Sequence, residues 1–181
     1  MSFDRTAIQY LIVLCLIIGG LLYIFFSRDT FSEKGTETSA STILDTSEAF
    51  YTDRNGEKVT LSSFVGRPLI VNSWASWCPF CVHELPMFEE IGEQYKDTEL
   101  VVVAINRAEA RNTFDAFIEY VGNPEHIIFL YDEADTFYTS IGGFAMPETL
   151  FFDREGKLIS HVRGALSKEA IIEQIEIVIK D

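Results

Sequence analysis

Cysteine is scarce in this chain: three among 181 residues, too few for the dense bridging that holds small secreted scaffolds together. Basic side chains are scarce as well. Fourteen Lys and Arg stand against 28 Asp and Glu, a formal charge of −14, which argues against a nucleic-acid partner and favours solubility. A second cysteine pair is missing, so the chain has no four-thiolate zinc set. No internal repeat is visible. What the chain does have is 48% hydrophobic residues, enough to build a core, and a length that allows one domain with some chain to spare.

The two ends are unlike. After a short flank at residues 1–6, residues 7–26 (AIQYLIVLCLIIGGLLYIFF) carry no charged side chain. As a helix they would reach roughly 30 Å, the thickness of a bilayer's hydrocarbon core. Tyr10 and Tyr23 lie near its two ends, where amphipathic rings favour the interface. This stretch reads as a transmembrane anchor seated in the lipid bilayer. A cleaved signal peptide is the competing reading, but its apolar run would be shorter and end in small residues, whereas this one ends in YIFF. Cys15, within the run, reads as a small apolar filler. Arg5 on one side and Arg28 and Lys34 on the other barely decide the orientation. Residues 27–47, rich in Ser, Thr and Glu, read as a flexible linker, and 48–181 as a folded domain.

Within that domain, AFYTDRNGEKVTL reads as a hairpin turning at Asn55-Gly56. RPLIVNSWA (67–75) is a near-continuous apolar run, as in a strand buried on both faces. A helix is expected from Pro79 to about Tyr95, kinked at Pro86. Then come a strand over 99–106, an amphipathic helix over 108–121, a strand over 126–131 and a short helix near Asp135–Ser140. A second hairpin crosses Arg154-Glu155-Gly156, and a last helix runs from Ser167 as N-cap. The alternation points to a mixed, largely parallel sheet covered on both faces.

The chemistry lies in SWASWCPFCVHELP, residues 73–86. Cys78 falls at the start of the helix and Cys81 one turn later, so the two sulfurs share a face and can bond. The helix N-terminus favours the thiolate of Cys78, and Pro79 fits the first turn, where its missing N–H costs nothing. These positions divide the labour: Cys78 attacks a partner disulfide and Cys81 resolves the mixed disulfide. Zinc is a weaker reading, because His83 and His126 would have to complete the ligands and His83 points away from Cys78. A purely structural bridge would close a tiny loop for little gain.

LIVNSWASWCPFCVHELP followed by FAMPETLFFDREGKL resembles the TlpA/ResA-like branch of the thioredoxin superfamily, which includes the cytochrome c maturation thioredoxins. The resemblance covers about residues 48–180. It implies an α/β thioredoxin fold with an N-terminal β-hairpin and an inserted helix and strand between 108 and 131, here preceded by the transmembrane helix. By position, Pro147 matches the family's cis-proline opposite the cysteines, and Met146 before it matches the residue whose backbone pairs with an incoming substrate strand. Asn72 stands where ordinary thioredoxins have a buried aspartate that handles the proton of the resolving cysteine. Asparagine cannot titrate. Glu84, one turn beyond Cys81, matches a glutamate of this branch and is the expected proton acceptor; Glu148, directly after Pro147, is a second nearby carboxylate. The expected substrate-facing set is Trp77, Pro79, Phe80, Met146, Pro147 and Glu148, with Phe144 adding to an apolar rim and Trp74 left to the core.

The activity implied is thiol–disulfide exchange through a redox-active Cys78–Cys81 disulfide, with no other cofactor and no metal. Its partners would be disulfide-bearing proteins, apocytochrome c among them, and a membrane electron donor. Carboxylates near the sulfurs, with no cation between the cysteines, make the thiolate less favourable than in a strong oxidant and point to a reductant. The family's members mostly work outside the cytoplasmic membrane, so the catalytic domain is expected at the periplasmic or extracellular face. Two other readings stay open here: a general disulfide oxidase or isomerase, and a redox-inactive tethered binding module.

Overall fold

The computed structural model describes residues 49–180, together with Ile18 alone. The anchor expected over 7–26 and the linker over 27–47 lie, Ile18 apart, outside the described residues. Among the described residues no helix is long and apolar enough to cross a membrane.

The elements are β1 (Tyr51–Thr52), β2 (Lys58–Val59), β3 (Leu69–Trp74), α1 (Pro79–Gln94), β4 (Val101–Arg107), α2 (Arg111–Tyr120), β5 (Ile128–Asp132), α3 (Thr136–Ser140), β6 (Glu148–Phe152), β7 (Leu158–Arg163) and α4 (Lys168–Val178). The strands form one sheet in the order β2-β1-β5-β4-β3-β6-β7. β4 pairs in parallel with β3 and with β5; the other neighbours pair antiparallel. The sheet is therefore mixed, as expected, but not largely parallel. The two hairpins and the β3–β6 pairing supply the antiparallel share, and strand-and-helix alternation does not reveal which neighbour a strand will choose.

β3 is buried along its whole length, and its side chains alternate between two apolar clusters. Ile70 and Trp74 face one side with Leu85, Phe88 and Ile91 of α1, Phe114 and Ile118 of α2, and Ile171 and Ile175 of α4. Leu69 and Val71 face the other with Leu61, Phe64, Phe137 and Ile141. Three helices thus cover the first face, and the short α3 with a 3₁₀ turn at Leu61–Phe64 covers the second. Trp74 belongs to the core, as expected, with its ring centroid 4.8 Å from that of Phe117 and 5.7 Å from that of Phe129.

The first hairpin turns differently from the expected two-residue Asn55-Gly56 form. Asp53 N–H donates to the Glu57 carbonyl (2.9 Å) and Gly56 takes φ +82°, so Arg54–Gly56 form a three-residue loop with a glycine bulge. Asp153, Gly156 and Lys157 repeat the same device between β6 and β7. α1 runs on through Pro86 without a break. α2 begins at Arg111 rather than 108, because Ala108 sits at φ +38° and the next carboxylate is engaged elsewhere. Ser167 caps α4, its hydroxyl accepting from Ala170 N–H.

Candidate active site

β3 ends at Trp74, and four residues later Cys78 takes an extended backbone conformation and caps α1, with Pro79 at the first helical position. Cys78 N–H donates to the Ala75 carbonyl at 3.1 Å, and Cys78 Sγ accepts from Cys81 N–H at 3.2 Å. Cys78 and Cys81 are disulfide-bonded, with Cα atoms 5.3 Å apart. Cys81 is fully buried, while Cys78 keeps a small exposed area. The less buried cysteine is therefore the one at the helix N-terminus, where the dipole favours a thiolate. Trp77 (61% exposed) and Phe80 (66%) stand on either side of Cys78 in the chain, next to the exposed Pro79.

The second half of the site comes from β6. Ser73 of β3 pairs with Glu148 of β6, so the residues just before Glu148 arrive at the end of β3 from which the cysteine loop departs. There the Met146–Pro147 peptide is cis. Pro147 is buried, and Met146 packs against the cluster that contains both cysteines. Phe144 is 78% exposed, with the Arg163 guanidinium 5.0 Å from its ring centroid.

One turn along α1 from Cys81 lies Glu84, 1% exposed. Its Oε2 accepts from Asn72 Nδ2 at 3.0 Å and its Oε1 from Leu166 N–H at 2.8 Å. Neither partner carries a charge. Burial lifts the Glu84 carboxyl from an ordinary 4.5 to about 7, against the lowering effect of those two hydrogen bonds. Asn72 Nδ2 also donates to Thr149 Oγ1 at 3.0 Å, and Asn72 Oδ1 is buried without a partner.

Glu148 is fully buried as well, with its side chain turned inward rather than towards an incoming substrate. Its Oε1 accepts from Phe144 N–H (2.8 Å) and Ala145 N–H (2.9 Å), and its Oε2 lies 2.6 Å from His161 Nε2 and 3.6 Å from Arg163 Nε. Sequence reasoning missed His161 and Arg163 here, and also Glu109. That carboxylate accepts from Ser76 N–H at 2.8 Å and Asn106 Nδ2 at 2.6 Å, tying the loop before Cys78 to the end of β4. The Glu148–His161 and Ser76–Glu109 contacts bridge 13 and 33 residues and leave no local signal; Glu109 reads in sequence as the first turn of a helix. His83 is exposed and His126 pairs with Glu93 at 2.7 Å; among the described residues no three His, Cys, Asp or Glu side chains cluster as metal ligands.

A bonded cysteine pair at a helix N-terminus, opposite a cis-proline and on this sheet, defines a thiol-disulfide oxidoreductase of thioredoxin-like fold. The chain belongs to the Redoxin family, which it matches over residues 35–175. It is 30% identical to thiol-disulfide oxidoreductase ResA of Geobacillus kaustophilus, over 95% of this chain and 92% of that one. With ResA of Bacillus subtilis strain 168 the identity is 25%, over 97% and 92% of the two chains. Among solved structures, the chain is similar to a Chlorobium tepidum protein provisionally named thiol:disulfide interchange protein DsbE. The match has 28% identity and a TM-score of 0.64, over 72% of this chain and 92% of that one.

Proposed function

We propose that this oxidoreductase is a membrane-anchored reductant of protein disulfides outside the cytoplasm. In the reduced enzyme the Cys78 thiolate attacks one sulfur of a substrate disulfide, forming a mixed disulfide and releasing the first substrate thiolate. Glu84 takes the proton of the Cys81 thiol. The Cys81 thiolate then attacks Cys78 Sγ, forming the Cys78–Cys81 bond and expelling the second substrate thiolate. Two electrons pass to the substrate, and an external dithiol must return them.

The observation that carries this reading is a buried carboxyl held near pKa 7, three residues after the buried cysteine, on partners without charge. At neutral pH such a group can both take and release a proton. Asn72 suits either state. Its Nδ2 donates to the carboxylate, and a flipped amide would present the unpartnered Oδ1 to the carboxylic acid, with the Thr149 hydroxyl able to reverse its role. Glu109 holds the attacking cysteine's loop in place, and the Met146 backbone, with Trp77, Pro79, Phe80 and Pro147 around it, receives the substrate strand.

The direction follows from charge. Glu84, buried without a countercharge, and the half-buried Glu109 on the loop before Cys78 make a second negative charge on sulfur costly. A thiolate less favoured than in a strong oxidant gives a lower potential, near the reducing end of the roughly −270 to −120 mV that such proteins span. The uncharged run 7–26 supports the anchor, and the resemblance to the cytochrome c maturation thioredoxins supports an apocytochrome c among the substrates, with a membrane dithiol as donor. Equilibration with a glutathione or reference-thioredoxin couple tests the direction: a potential near −270 mV is expected, and one near −120 mV would overturn it.

A further inference from the structure

The loop before cis-Pro147 is fastened from two sides by groups that thiol–disulfide exchange does not use. From below, Glu148 Oε1 takes the N–H groups of Phe144 and Ala145, at 2.8 and 2.9 Å. From α3, the Tyr138 hydroxyl donates to the Ala145 carbonyl at 2.9 Å. Tyr138 is itself held: the Arg107 guanidinium stacks on its ring, 3.4 Å from the centroid, and Arg107 Nε donates to Asp135 at 2.9 Å. A β-carbon at Gly143 would fall 2.4 Å from the Tyr138 ring, so glycine there lets the loop lie flat on the tyrosine.

The backbone polar groups of the loop are unequally engaged. Phe144 N–H, Ala145 N–H and Ala145 C=O are all spent inward. Pro147 C=O accepts from Gly164 N–H at 2.8 Å. Among the described residues, Met146 N–H and C=O have no such partner. Of residues 144–147, Met146 is thus the one with both its N–H and its C=O unpartnered, so an extended polypeptide can form a two-bond pair only there.

We propose that Tyr138 and Glu148 are positioning residues for substrate recognition, which engage the N–H groups of residues 144 and 145 and the Ala145 carbonyl, so that Met146 is left as the one residue able to pair through both its N–H and its C=O with a substrate strand. The proposal rests on Met146 receiving that strand. It requires the clasp to act on polypeptide disulfides and not on the sulfur chemistry.

Steady-state reduction of insulin, a polypeptide disulfide, and of dithionitrobenzoate, which has no peptide backbone, separates the two. Tyr138→Phe keeps the stacked ring and deletes the donor. It should raise KM for insulin about fivefold, the effect of one hydrogen bond, with kcat held. Its dithionitrobenzoate rate and Cys78–Cys81 potential should stay at the wild-type values. Glu148→Gln retains an acceptor at Oε1 and should stay nearer wild type than Glu148→Ala, whose insulin KM should rise further. Tyr138→Phe carries the test alone should Glu148→Ala fail to fold. Unchanged insulin KM in Tyr138→Phe would overturn the proposal, and so would a parallel loss of dithionitrobenzoate activity. Met146→Pro, which deletes the Met146 N–H, tests the underlying reading: its insulin KM should also rise. If it does not, pairing at Met146 falls and the clasp with it; if it does while Tyr138→Phe is unchanged, the clasp alone falls.

Discussion

Glu84 and Glu148 are both buried carboxylates near the end of β3 from which the cysteine loop departs, and their surroundings differ in one respect. Glu84 is met by a backbone N–H and an amide, with no cation. Glu148 is met by two backbone N–H groups and by His161 and Arg163, at 2.6 and 3.6 Å. Burial without a countercharge raises a carboxyl's pKa into the range where it can trade a proton, whereas burial against a guanidinium, an imidazole and amides turns the same group into a fastener. Sequence places both glutamates near the cysteines. Only their partners assign them different work.

That contrast can be broken in several ways. Cys78→Ser removes the attacking sulfur on which both sides depend, and should cut dithionitrobenzoate reduction by about three orders of magnitude or more. Glu84→Gln should lower turnover about a hundredfold near pH 8, where the wild-type carboxyl is ionised and able to accept the Cys81 proton. Wild-type kcat should rise with pH through about 7, and the variant should lose that inflection. Stability should move the opposite way. A carboxyl whose folded pKa is raised favours folding fully below its unfolded value of 4.5, and that contribution is lost as pH rises through about 7. Glu84→Gln should therefore be up to about 3 kcal/mol more stable than wild type at pH 8 and close to it at pH 4, by urea unfolding. His161→Ala strips a partner from the fastened carboxylate while leaving Arg163, and should destabilise by about 2 kcal/mol in the same measurement. A gain of stability in His161→Ala would remove the distinction between the two glutamates.

Much of this was readable in the chain. The apolar runs located β3 and β4, Pro79 marked the start of α1, and the spacing of Cys78, Cys81 and Glu84 put all three along one helix. FAMPETLFF located the cis-proline and the strand beside it. What could not be read depends on pairing across long separations. The antiparallel union of β3 with β6 joins residues some 80 positions apart, and it sets Thr149 against Asn72 and the 144–147 loop against the cysteines. Tyr138, His161 and Glu109 look like ordinary surface residues until that sheet is assembled. The inward turn of Glu148 belongs with them, because periodicity reports which face a side chain takes and not which partners meet it there.

In the mechanism proposed above, Glu84 exchanges a proton near neutrality because it is buried without a countercharge. The most direct measurement is a carboxyl-carbon NMR titration of Glu84 in the oxidised enzyme, assigned by comparison with Glu84→Gln. A midpoint near 7 is expected, and a midpoint near the ordinary 4.5 would rule Glu84 out as the group that trades a proton at neutral pH.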